Sequence, residues 1–190
     1  MRLGRVHFSA GFFLLLAWLN YLDRRGVVPL ALLACALHEL GHYGAVCWLK
    51  NDVKEINITA VGAEMALARP MGYWQELGTA LAGPGVNLLL ALVFCRWEWG
   101  RTFAGVNLVL GCFNLLPAGG LDGGRALSCA LAVLLGPDWA GLAKGWLTAG
   151  FSALFLLLGM GLAGGYGNVT LLLVALWMLA ALGKELRASA

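Results

Sequence analysis

The stretch Val27–Leu49, VVPLALLACALHELGHYGAVCWL, is an apolar run long enough to cross a bilayer, and it carries two histidines and a glutamate near its middle. On a helix, His38 and His42 stand at i and i+4 and share one face, with Glu39 beside them. Two imidazoles on one face can bind a single metal ion, and an adjacent carboxylate can move a proton. An ionisable side chain near the middle of a membrane helix costs about 2.5–3.5 kcal/mol on insertion scales, so three within one helical turn require compensation. Bound zinc supplies it, since apparent binding free energies in small structural sites are about 10–16 kcal/mol. Histidines bonded only to polar groups of neighbouring helices would leave Glu39 without an evident cationic partner.

The rest of the chain shares that solvent. Of 190 residues, 61% are hydrophobic and 12% charged, against roughly half and a quarter in soluble domains. The 27 glycines fit closely packed membrane helices, where small residues let backbones approach. The cysteines Cys35, Cys47, Cys95, Cys112 and Cys129 form no CxxC pair, so neither a cysteine zinc site nor a redox motif is suggested, and they are expected to be small core residues. The 13 Lys and Arg lie at segment ends with no basic cluster, so the net charge of +3 implies no nucleic-acid partner.

Apolar runs extend over Val6–Leu22, Val27–Leu49, Leu77–Phe94, Phe103–Pro117, Trp146–Leu162 and Val169–Gly183. The predicted fold class is therefore an all-α polytopic membrane protein of about six transmembrane helices, forming a single membrane-embedded domain over residues 1–190. The first run follows Arg2 and Arg5 but lacks a small-residue cleavage site, and is expected to remain as a span. Six spans put Arg2, Arg5, Lys50, Lys54, Arg69, Arg125, Lys144, Lys184 and Arg187 on the side of the termini and Arg24, Arg25, Arg96 and Arg101 on the other, which predicts cytoplasmic termini in the cell membrane. Leu121–Leu135 is open between a buried half-helix, an interfacial helix and part of a longer fourth span. Glu55–Val61 partly alternates and is β-branched, consistent with a short membrane-associated strand or hairpin or with a surface loop. A strand edge there would accept an extended peptide through main-chain hydrogen bonds.

A catalytic zinc takes three protein ligands and keeps a fourth position for water. The remaining histidine, His7, lies near the amino terminus. Glu64 and Glu76 flank the polar connection and Glu98 and Asp138 lie in short linkers, whereas Asp122 sits in a Gly-rich break attached to an apolar span. That break, Asn114-Leu-Leu-Pro-Ala-Gly-Gly-Leu-Asp122-Gly-Gly-Arg125, combines the missing donor of Pro117 with glycines that permit an unwound path. Irregular backbone at membrane depth must be buried in protein or line a wet cavity. Asp122 is the predicted third ligand.

HExxH at His38–His42, together with Asn114, Pro117, Leu121, Asp122 and Gly123 in the pattern N-x-x-P-x-x-x-L-D-G, resembles the site-2 protease family of intramembrane zinc metalloproteases. The resemblance covers roughly Ala31–Leu127. It implies one zinc per chain on His38, His42 and Asp122, Glu39 as acid/base, and a role for Asn114 in holding substrate or the site's geometry. Gly83-Pro84-Gly85-Val86-Asn87 matches a frequent feature of the family's third core helix, which places Asn87 in the same class. The single short chain, with spans before and after the core, is similar to the compact bacterial group that includes the stage IV sporulation protease; it departs from many of those relatives in showing no carboxy-terminal CBS domain, and the lack of a PDZ-like insertion argues against the envelope-stress type. The partners implied are the lipid bilayer and a transmembrane or membrane-associated regulatory protein, such as a sigma-factor precursor or an anti-sigma factor. Two other readings are a zinc transporter, disfavoured because the spans are otherwise poor in His, Asp and Glu, and a catalytically silent helix-binding homologue, disfavoured by the intact Glu39.

Overall fold

A computed structural model describes residues 3–60, 62–166 and 170–188. The chain divides into two compact units, Met1–Phe113 and Asn114–Ala190.

In the first unit, strand β1 (Leu3–Phe8) leads into helix α1 (Ala10–Leu22), and helix α2 (Val27–Trp48) into the hairpin β2 (Val53–Thr59) and β3 (Gly62–Leu67). Helix α3 (Tyr73–Phe94), a short 3-10 turn at Glu98–Gly100 and helix α4 (Arg101–Asn114) follow. Ser9 caps α1 by accepting the Phe12 N–H at 3.2 Å. Asp23 ends α1 and accepts the N–H of Val28, in the first turn of α2, at 2.8 Å. Beyond α2, Lys50 takes a left-handed φ of 54°, donating to Cys47 O while Asn51 donates to Val46 O. This is the paired closure that stops a helix and satisfies its last carbonyls. The Asn51 amide then bonds Arg69 O at 2.9 Å, joining the two ends of the hairpin connection.

The sheet has the order β1-β2-β3. Strand β1 runs parallel to β2, with Val6 opposite Ile56 and Phe8 opposite Ile58. Strand β3 runs antiparallel to β2, with Met65 opposite Ile56 and Ala63 opposite Ile58. Two expectations are corrected by this. The chain is mostly helical but not all-α, because Val6–Phe8, expected to open the first span, belongs to a strand. The alternation Arg5-Val6-His7-Phe8 has the period of two that marks a strand, and it merges into the apolar run behind it. The expected strand at Glu55–Val61 exists, but β2 is the middle strand, so its main chain offers no free edge. Val61 lies outside the described residues.

In the second unit, a loop over 115–121 precedes α5 (Asp122–Leu135), α6 (Pro137–Tyr166) and α7 (Thr170–Ala188). Helix α5 packs on α6, and α6 on α7. The 14 residues of α5 reach about 21 Å at 1.5 Å per residue, short of a ~30 Å hydrocarbon core. The loop separates α5 from α4, which excludes a longer fourth span. Pro137 at the first position of α6 loses a donor that has no intrahelical partner there, so α6 starts earlier than the predicted Trp146.

Among the described residues, three helices are long and apolar enough to cross a membrane: Val27–Trp48, Tyr73–Phe94 and Pro137–Gly165. Ala10–Leu22 and Leu171–Ala180 are shorter apolar helices. Polarity is distributed as lipid solvent demands. Asn87, Asn107, Thr148 and Ser152 are fully buried, whereas Leu40, Leu89 and Leu157 stand more than half exposed.

Candidate metal centre

The site is built outward from α2. Its helical register stacks His38 and His42, both nearly buried, with their rings edge to face at 84° and centroids 4.7 Å apart. Helix α3 approaches closely because two glycines allow it. A Cβ on Gly41 would lie 2.9 Å from Ala82 O and from Val86 Cγ2, and one on Gly83 would run into the His42 ring.

That close approach fixes both rings. The Nδ1 of His42 lies 2.8 Å from the backbone oxygen of Thr79, an atom that can only accept, so Nδ1 carries the proton. The Nδ1 of His38 lies 2.5 Å from Asn87 Oδ1 and donates to it. With both Nδ1 atoms engaged, each ring turns its other nitrogen, Nε2, toward that of its neighbour across 3.1 Å. Two nitrogens each ~2.05 Å from a tetrahedral zinc would be about 3.3 Å apart. The pair therefore fits a divalent metal such as zinc, with second partners already holding the ligand tautomers.

Asn87 makes two further bonds, its Nδ2 donating to Ala34 O at 3.2 Å and to Asn107 Oδ1 at 2.8 Å. Asn107 in turn donates to Phe103 O at 2.9 Å. Among the described residues no buried side-chain nitrogen or oxygen lacks a partner. Glu39, next to His38, is half-buried, as is Asn114 at the end of α4.

In its own unit Asp122 is nearly buried at the first turn of α5, where the positive end of the helix favours its negative charge. Arg125 stands 3.7 Å from its carboxylate. The preceding loop is braced by Gly119 N–H donating to Thr148 Oγ1 at 2.6 Å, and Gly120 holds a φ of 83°. A Cβ on Gly123 would strike the Leu115 and Leu116 carbonyls, and one on Gly124 the Ala118 carbonyl.

No family model matches the chain. A Synechocystis protein provisionally named a zinc metalloprotease is 29% identical over 147 residues, 63% of this chain and 37% of its own length. A Methanocaldococcus jannaschii protein named zinc metalloprotease is 29% identical over 114 residues, 54% of this chain and 33% of its own. The chain thus spans about a third of the length of the curated relatives it matches. The solved structure of the site-2 protease from Methanocaldococcus jannaschii matches with a TM-score of 0.71 over 97% of this chain and 92% of that one, at 24% identity.

The chain has the site-2 protease fold. The sequence patterns single out His38, Glu39, His42, Asn87, Asn114 and Asp122 as candidates, but not the Thr79 carbonyl that accepts from His42, the close approach at Gly41 and Gly83, or Asn107. The available signal for Asn107 was an amide inside the apolar run Phe103–Pro117, one of two with Asn114, because an amide there needs a buried partner.

Proposed function

We propose that this chain is an intramembrane zinc metalloprotease of the site-2 protease family, hydrolysing peptide bonds within or near transmembrane segments of membrane-bound regulatory proteins. The observation that carries the reading is the convergence of two Nε2 atoms with both Nδ1 atoms engaged, on a helix apolar enough to span a bilayer. The names of the curated relatives and the fold support it.

One zinc per chain would be held by His38, His42 and Asp122, the two-imidazole, one-carboxylate donor set of catalytic zinc proteases. When bound, zinc supplies a Lewis acid for the scissile carbonyl and lowers the pKa of a water molecule. Glu39, beside His38, would accept a proton from the attacking water and deliver it to the leaving amide nitrogen. Asn87 orients His38, and Asn114 holds substrate or the geometry of the loop. Since β2 is paired on both sides, an extended substrate would add to the outer edge of β3. Six spans, one membrane-embedded domain and cytoplasmic termini complete the proposal, with a sigma-factor precursor or an anti-sigma factor as the substrate class.

Zinc content and cleavage of a model transmembrane substrate separate the roles. Glu39→Gln is expected to retain zinc and lose cleavage, and Asp122→Ala to lose zinc affinity. Cleavage by Glu39→Gln at the parental rate would overturn the assignment of the base, and parental zinc affinity in Asp122→Ala would remove that ligand. A zinc transporter or a silent homologue would give no product with the parent chain.

A further inference from the structure

We infer that Asn107 is a positioning residue of the metal centre, reaching His38 through Asn87. The inference rests on His38 being a zinc ligand. Two backbone oxygens decide the direction of the whole chain of bonds. Phe103 O can only accept, so the Asn107 atom facing it is Nδ2, and Oδ1 is left facing Asn87. Ala34 O can only accept, so the Asn87 atom facing it is also Nδ2. Both hydrogens of that one amide nitrogen are then committed, to Ala34 O and Asn107 Oδ1, and Asn87 presents only Oδ1 to His38.

The opposite orientation of Asn87 would aim its oxygen at both Ala34 O and Asn107 Oδ1 and its nitrogen at His38. That would stabilise the wrong tautomer, with the proton on Nε2 where a metal must bind. Asn107 penalises it, because its own amide is locked by Phe103 and cannot turn to offer a donor. Both asparagines are fully buried, so water cannot substitute for a lost partner. One turn after Asn107, Gly111 lets α4 come this close: a Cβ there would sit 3.2 Å from Asn87 Cβ.

The test uses the full chain in lipid nanodiscs with zinc as the probe. Zinc affinity is measured by chelator competition, and the tautomer of His38 by the ¹⁵N shifts of its ring in the metal-free protein. Asn107→Leu keeps the volume and removes the acceptor, Asn107→Asp keeps an acceptor toward Asn87, and His38→Ala is the control for the ligand itself. Asn107→Leu is expected to weaken zinc binding about 10-fold, at the lower end for outer partners of metal-binding histidines, and to move His38 toward the Nε2-protonated form. Asn107→Asp is expected to recover most of the affinity and the parental ring pattern. Parental affinity and ring pattern in Asn107→Leu, with zinc binding lost in His38→Ala, would overturn the role of Asn107 alone. Equal loss in Asn107→Leu and Asn107→Asp would overturn it too, because the retained acceptor would then make no difference. Parental zinc affinity in His38→Ala would overturn the zinc reading itself.

Discussion

The histidine-bearing region and the aspartate-bearing region are held by different means. His38 and His42 sit on an uninterrupted helix and owe their orientation to side-chain bonds with Asn87 and with the Thr79 carbonyl. Asp122 follows a loop in which backbone meets backbone: Ala118 donates to Leu116 O at 2.8 Å and Leu121 to Ala118 O at 3.2 Å. Glycines at 123 and 124 leave room for carbonyls that a methyl group would displace. In the first region, then, a polar side chain can be replaced with the helices left standing and only the ring orientation lost. In the second, adding one carbon moves main chain, and main chain cannot step aside as a flexible side chain can.

The largest effect expected from this contrast is at Gly123. Gly123→Ala forces a Cβ against the Leu115 and Leu116 carbonyls, and overpacking of this kind costs about 1–3 kcal/mol or more. Thermal unfolding in detergent is expected to show a clear destabilisation, together with loss of zinc affinity. A variant with parental melting and parental zinc affinity would show that the loop yields easily and would end the contrast.

A smaller effect is expected at Thr148, whose side chain ties that loop to α6. Its hydroxyl accepts from Gly119 and donates to Lys144 O at 2.7 Å. Thr148→Val keeps the shape and leaves the Gly119 N–H unsatisfied, for a cost of about 1–3 kcal/mol, while Thr148→Ser restores the acceptor. Equal melting temperatures for the valine and serine variants would show that the hydroxyl contributes only volume.

How much of this was legible in the sequence follows the same division. The i, i+4 spacing of His38 and His42 and the Gly- and Pro-rich path to Asp122 are local patterns, and both were readable. Relations between helices were not. Nothing in the one-dimensional order says that Asn107, twenty residues after Asn87, turns its amide toward it, or that Gly83 faces His42 rather than lipid. The small sheet was half readable for a related reason. The alternation in β2 stood in a polar connection where it could be noticed, whereas that in β1 was masked by the apolar helix behind it. A pairing between strands nearly fifty residues apart leaves no local trace. The first and fourth predicted spans lost definition because α1 and α4 are only 13 and 14 residues long, and the hydropathy that suggested full spans continued into a strand on one side and a loop on the other.

The smallest effect expected is at Asp23, and it asks whether an orientation set by a side chain can be switched without disturbing the helices it joins. Its carboxylate accepts from Val28 at 2.8 Å and from Arg25 at 3.0 Å. These backbone donors, that of Val28 foremost, hold its pKa below the ordinary aspartate value. A depressed folded-state pKa means that the carboxylate's contribution to the α1–α2 junction is complete above the ordinary value of about 3.9 and is lost as pH falls through the lowered one. The group is half-buried at the surface junction of two helices, and the consequence is local. The amide proton of Val28 is expected to titrate with a midpoint below that of a free aspartate in the parent chain and to show no such transition in Asp23→Asn, with zinc affinity at neutral pH the same in both. A parental midpoint at or above the free-aspartate value would mean that the carboxylate gains nothing from the Val28 donor, and a loss of zinc affinity in Asp23→Asn would mean that the entry to α2 is coupled to its metal-binding turn. Parental zinc affinity with the titration abolished is the expected pair of results, because Val28 and His38 are nearly three helical turns apart and the acceptors that orient His38 and His42 come from α3, not from the start of α2.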